Sequence, residues 1–468
     1  MGKYVLKSKD LSKIGYTDDA TRSIAITIFS RHFKFITKED ALNLLIQLKE
    51  NPESFEEHES LAPLAKKFIK RPQVRGFSVH ELNTEIKPFH IFGGKEIEGT
   101  AKRQMELAMQ LPVSAGGAMM PDAHTGYGLP VGGVLATEQA VIPYAVGVDI
   151  GCRMALSVYD LSEKYFQMNS YQLKKAISDF THFGMDGGLS VKTEHEILDS
   201  EDFNSTPLLR TLHGKAVKQL GTSGGGNHFV EFGILELNEI NFLNMNPGRY
   251  LALLSHSGSR GLGAAVAKHY TQIAMDTCKL PKQAQHLAWL DMNTEAGQEY
   301  WLSMNLAGEY SRACHDVIHY NISKAIGEKP VAKVENHHNF AWEEIFSDGR
   351  KLIVHRKGAT PAHLGEPGII PGSMTTPGYL ITGKGIAESL NSASHGAGRR
   401  MSRGKAKESF TMSAMKKILS AAGVTLIGGT TEECPDAYKD IETVMKFQTE
   451  LVDIHGKFFP KIVRMNKE

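Results

Sequence analysis

Cysteine is scarce in this chain, with four among 468 residues. That is too few for a disulfide scaffold. Free thiols at this density fit a reducing compartment, where a cysteine with a role acts as a thiolate or a metal ligand, and a cytoplasmic location is expected. No apolar run approaches the roughly 18 residues that a membrane span needs. The start MGKYVLKSKDLSKIG contains no apolar core segment, so no secretory signal is expected. Neither sign of charge is in excess. Lys+Arg is 53 and Asp+Glu is 52, for a net charge of +1, which excludes a basic coat and an acidic disordered domain. Hydrophobic residues at 41% and charged residues at 22% describe a globular chain that buries a large core. What stands out is glycine, 45 of 468 residues, above the usual share of about 7% and concentrated in a few loops.

The first part of the chain reads as helical. Thr37 precedes Glu39 and Asp40 in a capping-box-like start, and Ala41, Leu44, Leu45 and Leu48 then share one face. A second helical piece is expected over 61–69, ending before Pro72. Residues 76–94 alternate and include Pro88, which predicts extended chain and turns. From Pro112 onward, β-like runs at 132–136, 145–150 and 154–159 lie among helices predicted at 172–183, 208–220, 261–280 and 295–322. Residues 250–254 read as a strand or a helix end, and further strands are expected at 351–355, 379–382 and 424–427. There is no regular βαβ spacing and no internal repeat, which favours an α+β fold over a doubly wound sheet.

Histidine numbers 20, and many of these residues sit beside Gly, Asn or Asp. The stretches that stand out are PDAHTGYGLPVGG (121–133), VGVDIGC (146–152), GTSGGGNHFVE (221–231), SHSGSRGLG (255–263), ENHHNF (335–340) and SASHGAGRRMSR (392–403). No zinc-finger spacing and no HExxH occurs among them. Asp149 and Cys152 are three apart. They read either as a carboxylate and a thiolate facing one cation, with Zn2+, Mn2+, Fe2+ or Co2+ preferred over Mg2+, or as an Asx turn beside a buried thiol. Asn227 and His228, with Glu231 beyond, follow a glycine cluster. The cluster either converges main-chain N–H groups on a phosphate, with Asn227 donating and His228 binding metal, or forms a flexible turn. It is neither a Walker A loop nor a Rossmann fingerprint. Arg260, in a loop with His256, offers a fork for a phosphate or a surface ion pair. His337 and His338 are adjacent, so on a strand they face opposite sides and at most one binds a given metal. His395 reads as a ligand, a general base, a nucleophile capable of phosphoramidate chemistry, or none of these. Basic residues cluster at Arg399, Arg400, Arg403, Lys405 and Lys407, and again at Lys66, Lys67, Lys70, Arg71 and Arg75. Both sets read by default as solvated surface.

Taken together and in this order, the stretches between about residues 100 and 465 resemble the RtcB family of RNA-splicing and RNA-repair ligases. The resemblance implies an α+β body around a deep metal cleft, two Mn2+ ions, and GTP as co-substrate. It implies joining of an RNA 3′-phosphate or 2′,3′-cyclic phosphate to a 5′-hydroxyl, through a guanylylated histidine and an RNA 3′-end activated by GMP. On this reading Asp149, Cys152, His228, His256 and His338 hold metal, with the Cys152 thiolate shared by both ions. His395 carries the guanylate. Asn227, Asn339 and Tyr438 adjoin the nucleotide, and Asp122, His124 and Glu231 belong to the same site. Arg260 is expected as an added anion contact. Residues 1–95 then form a mainly helical extension and 96–468 the catalytic domain. Some positions depart from the family pattern. Arg153 replaces the usual glycine after the motif cysteine, and Gly378 replaces a serine. Asn466 stands nearest to a lysine that contacts guanine, and Lys467 or Arg464 is a candidate substitute. These departures leave open a paralogue with another nucleotide specificity, or an RNA-end binding protein that has lost ligation.

Overall fold

The computed structural model describes residues 6–33, 36–55, 58, 60–65, 67–68, 76–184, 193–346 and 348–467. The chain forms two compact units, Met1–Gln73 and Val74–Glu468.

The smaller unit is built on helices Ser8–Lys13, Asp19–His32 and Lys38–Glu50, with a short turn of helix at Ala62–Ala65. Asp18 caps the second helix by accepting from the Thr21 N–H at 2.7 Å. Thr37 caps the third by accepting from the Asp40 N–H at 3.2 Å. Each such cap satisfies a donor that the first helical turn leaves unpaired. The expected face of the third helix holds, since Ala41, Leu45 and Leu48 are buried with Leu11, Tyr16 and Phe29 while Leu44 packs at the edge. Of the second basic set, Lys66, Lys70, Arg71 and Arg75 lie outside the described residues, as does the end of the helical piece expected at 61–69.

The larger unit is α+β. Its main sheet runs in the order Ala332–His337, Arg153–Ser162, Gly248–Ser257, Phe229–Leu237, Val452–Met465, Gly378–Gly383, Pro367–Ile370. Every neighbouring pair along that path is antiparallel, and Thr425–Ile427 adds a parallel strand beside Val452–Met465. Side chains alternate between faces. Leu251 and Leu253 pack with Ile318 and Ile322 of the helix Glu295–Ile326, whereas Ala252 and Leu254 pack on the opposite face with Met154, Leu235 and Phe458. A second sheet has the order Asn339–Ile345, Lys351–Lys357, Val131–Thr137, Ser114–His124, His90–Ile91. The two sheets are joined through His338, because Ala332–His337 belongs to the first and Asn339–Ile345 to the second.

Several elements differ from the sequence expectation. The helix expected to begin at Gln172 begins at Glu163. Phe229–Leu237 is a strand that periodicity does not reveal, since both of its faces are covered and its residues are almost continuously buried. Val452–Met465 is hidden in the sequence by Pro460, which sits where the register to its neighbour shifts, a place where a strand tolerates proline.

Candidate active site

Strand register explains how distant loops meet. In the main sheet Arg153 pairs with both Ser257 and His337, and His256 pairs with Phe229. Cys152, His228 and His338 are each one residue outside those pairs. The donors of four loops and strands therefore emerge along one edge.

At that edge the Cys152 Sγ lies 3.1 Å from His256 Nε2 and 3.4 Å from His228 Nε2. His256 Nε2 lies 3.2 Å from His338 Nε2, and His228 Nε2 lies 2.7 Å from Asp149 Oδ2. Metal–nitrogen and metal–sulfur bonds of about 2.0–2.3 Å place two ligands of one cation roughly 3–3.6 Å apart. His256 also donates from Nδ1 to the Asn227 carbonyl at 3.1 Å, the arrangement that fixes a metal-binding imidazole with its Nε2 lone pair forward. Burial pushes His256 down to about 3, helped by the His228 charge, and burial pushes His338 well below the usual imidazole range. Both rings are neutral and present lone pairs. Burial, then Asp149, holds the Cys152 thiol well up. A cysteine sulfur, three imidazole nitrogens and a carboxylate converge here, and a divalent cation of intermediate softness fits that donor set. Cys152, His228 and His256 form a metal-binding cluster, each offering one donor atom within 4.8 Å of the others.

Two glycines make this approach possible. A Cβ at Gly258 would collide with the Asp149 carboxylate, and one at Gly224 would collide with the His228 ring. Here the glycine loop serves close packing of side chains.

Across the cavity stands a second pair. Asp122 Oδ2 accepts from His395 Nδ1–H at 2.6 Å and from the His395 main-chain N–H at 3.2 Å. Asp122 is fully buried. Burial works against its charge, but His395, His124 and Lys439 outweigh it and hold the carboxyl below its usual range. With Nδ1–H committed to Asp122, the His395 Nε2 lone pair is the free one. The His395 ring centroid is 5.1 Å from that of His338, which is itself 5.1 Å from that of His256. The His124 imidazole donates from Nδ1 to the Asp122 carbonyl at 3.0 Å, and burial lowers it to about 4.

These groups line one cavity of about 1180 Å³. His124, Asp149, Cys152, Asn227, His228, Glu231, His256, His338, Asn339, His395 and Tyr438 all face it. Asp122 lies behind His395. Glu231 is buried, and burial raises its carboxyl well above the usual range. Asn339 braces the loops, donating to the Asp149 carbonyl at 3.3 Å and accepting from the Gly358 N–H at 2.8 Å. His337 points away from the donors, stacks on Phe340 and meets Arg153 Nη2 at 3.1 Å. Arg260 does not line the cavity. Its guanidinium donates to Thr222 Oγ1 at 3.0 Å and to the Gly184 carbonyl at 2.6 Å, so it clamps the glycine loop. Arg464 sits over the Phe183 ring at 5.3 Å and donates to Met465 O at 3.0 Å. It is not among the lining residues, and neither is Lys467.

Lys357 and Glu433 are among the lining residues that sequence reasoning passed over. Burial pushes Lys357 down to about 7, and its Nζ donates to the Tyr144 carbonyl at 3.1 Å. The sequence signal for it was its place directly before Gly358, a glycine at φ +61° whose Cβ would come within 3.2 Å of the His395 ring.

The sequence pattern of the tRNA-splicing ligase RtcB family matches residues 104–206 and 198–465. The chain belongs to the RtcB ligase family. It is 31% identical over 410 residues to the RNA-splicing ligase RtcB of Escherichia coli K12, covering 80% of this chain and 96% of that protein. It is 30% identical over 411 residues to the tRNA-splicing ligase RtcB of Nanoarchaeum equitans, covering 71% and 84%. The similarity to the tRNA-splicing ligase RtcB of Aeropyrum pernix is 31% over 402 residues, covering 70% and 82%. As an RtcB-family enzyme the chain has a metal-binding site in its main cavity. Among the described residues no helix is long and apolar enough to cross a membrane.

Proposed function

We propose that this protein is a GTP- and manganese-dependent RNA ligase of the cytoplasm, joining a 3′-phosphate or 2′,3′-cyclic phosphate end to a 5′-hydroxyl. The observation that carries the reading is the Asp122–His395 pair beside a cluster of metal donors. The Asp122 carboxylate holds the Nδ1 proton and steadies the ring, so Nε2 is poised as the nucleophile. Nε2 forms a bond to the α-phosphorus of GTP while the bond to the bridging oxygen breaks and pyrophosphate leaves. A 3′-phosphate oxygen of the RNA then takes the guanylyl group, freeing His395. The 5′-hydroxyl attacks the activated 3′-phosphorus, loses its proton and releases GMP. A cyclic end first takes up water to become a 3′-phosphate.

Two manganese ions would be held by Asp149, Cys152, His228, His256 and His338, and when bound they neutralise phosphate charge. Asn227 and the glycine-loop N–H groups hold phosphate oxygens, and Lys357 adds a charge when protonated. Asn339 keeps the Asp149 loop in place, Tyr438 borders the nucleotide, and Glu231 offers it a neutral carboxyl. His124 and Asp122 define the His395 side. Residues 96–468 are assigned to this catalytic domain and 1–95 to an extension, of which the part from Val74 onward belongs to the larger compact unit.

Incubation of the purified protein with manganese and labelled GTP is expected to leave a guanylate on His395, and RNA halves with 3′-phosphate and 5′-hydroxyl ends are expected to be joined. Absence of any retained guanylate overturns the ligase reading; end binding without joining favours a binding protein. A second reading, use of another nucleotide, is favoured by Gly378, which lines the cavity without a hydroxyl. Parallel labelling with ATP distinguishes it.

A further inference from the structure

One wall of the cavity is organised by a single acid. Glu433 is only 3% exposed and lines the cavity. Tyr438 donates its phenol proton to Glu433 Oε2. Arg399 Nη1 lies 3.3 Å from each carboxylate oxygen, and Arg403 Nε lies 3.9 Å away. The same Arg399 guanidinium is 5.1 Å from the Tyr438 ring centroid. The other end of Arg403 donates through Nη2 to Asn227 Oδ1 at 3.0 Å, beside the metal donor His228. Arg403 passes close over the glycine loop, where a Cβ on Gly226 would lie 2.9 Å from its Nη2. One carboxylate thus joins the loop that carries His395 to the loop that carries His228.

We propose that Glu433 is a positioning residue for the nucleotide, fixing Tyr438, Arg399 and Arg403 as one preset wall. A ring anchored at its hydroxyl and accompanied by a guanidinium is a platform for a planar base. Two arginines so near each other repel unless an anion lies between them, and Glu433 supplies it. Arg399 is also held by the Met401 carbonyl at 3.1 Å and the Glu432 carbonyl at 2.7 Å, but without the carboxylate the phenol loses its acceptor and the two guanidinium groups lose their shared anion, so the Tyr438 ring and Arg403 must be ordered afresh each time a nucleotide binds. Glu433 itself spends its oxygens on these partners and touches no reacting atom. Among the described residues it makes no direct hydrogen bond to Asp122, His395 or the Cys152–His228–His256 cluster.

This inference rests on the nucleotide-transfer reading, and the test separates the two. Guanylate transfer to the protein is measured with manganese and GTP for wild type, Glu433→Ala, Glu433→Gln, Tyr438→Phe and the Glu433→Ala/Tyr438→Phe double variant, with metal content and thermal melting recorded for each. If wild type forms no adduct, the nucleotide-transfer reading fails, and this inference with it. If it does, Glu433→Ala should raise KM for GTP about tenfold or more while kcat changes about threefold or less. Glu433→Gln, which keeps an acceptor oxygen for the Tyr438 phenol but removes the charge between the arginines, should recover only part of the loss, its KM staying above that of wild type. The double variant should bind less poorly than the product of the single effects predicts. An unchanged KM in Glu433→Ala, with wild-type labelling intact, overturns the inference. If Glu433→Ala does not fold, Glu433→Gln and Tyr438→Phe decide: unchanged KM in both overturns it, and a raised KM with normal melting supports it.

Discussion

The two sides of the cavity are built on different principles. The metal side is assembled from the edge of a long antiparallel sheet, where strand register brings Cys152, His228, His256 and His338 together. Its donors are close together because backbone hydrogen bonds place them there. The opposite side is held by side chains: Asp122 on His395, and Glu433 on Tyr438 and two arginines. A site made by strand register tolerates the loss of one side chain without moving the others. A site made by side-chain pairs loses its geometry when one partner goes.

The sharpest way to separate the two sides is His395→Ala. Adduct formation should fall to background while metal content stays at the wild-type level, as intact-mass and elemental analysis would register. Cys152→Ala is the converse. It removes one donor of the Cys152–His228–His256 cluster, so metal occupancy should drop and adduct formation should follow it down; retained metal and full activity would return Cys152 to the status of an ordinary buried thiol. Gly258→Ala should act in the same direction more mildly, because the added methyl pushes on the Asp149 carboxylate. Metal affinity is expected to weaken about tenfold or more with the melting temperature little changed. Lys357→Met probes the region between the sides. Burial holds this lysine at about 7, and it is charged below that value and neutral above it. Wild-type nucleotide affinity should therefore decline as pH rises through about 7, whereas the variant should show a flatter profile. The smallest effect belongs to Arg464→Ala. With its guanidinium over Phe183 and outside the cavity lining, the GTP-over-ATP preference of the variant should equal that of wild type. A changed preference would bring the chain terminus into the nucleotide pocket.

Much of the metal side was legible in the sequence because its residues sit in loops with unusual composition. Glycine beside histidine or aspartate has a physical reason at Gly224 and Gly258, where a Cβ would strike the donor itself. The α+β class followed from the absence of βαβ spacing. The identity of the partners was harder to read. Nothing local in TEECPDAYK says that Glu433 is buried against an arginine more than 30 residues away, because ion pairing across loops leaves no period. Arg260 reads equally well as a free fork or a clamp until its neighbours are known, and only the fold supplies Thr222 and Gly184. Strand Phe229–Leu237 was illegible for a different reason. Alternation is the mark of a half-covered strand, and this one is covered on both faces.

His338 is the single residue between a strand of one sheet and a strand of the other. Its N–H donates to the Cys152 carbonyl at 3.0 Å, and its carbonyl accepts from the Ala359 N–H at 3.2 Å. Its imidazole, meanwhile, is the ring next to both His256 and His395. Any sliding of one sheet against the other must turn this residue, and turning it moves its imidazole relative to those of His256 and His395. The joint between the sheets thus works as a gauge: the spacing of the His338 ring from the His256 and His395 rings is set by the same peptide that links the two sheets. Loosening that joint at a distance, by substitutions in either sheet, should register first as a change in metal affinity and only later as a loss of fold.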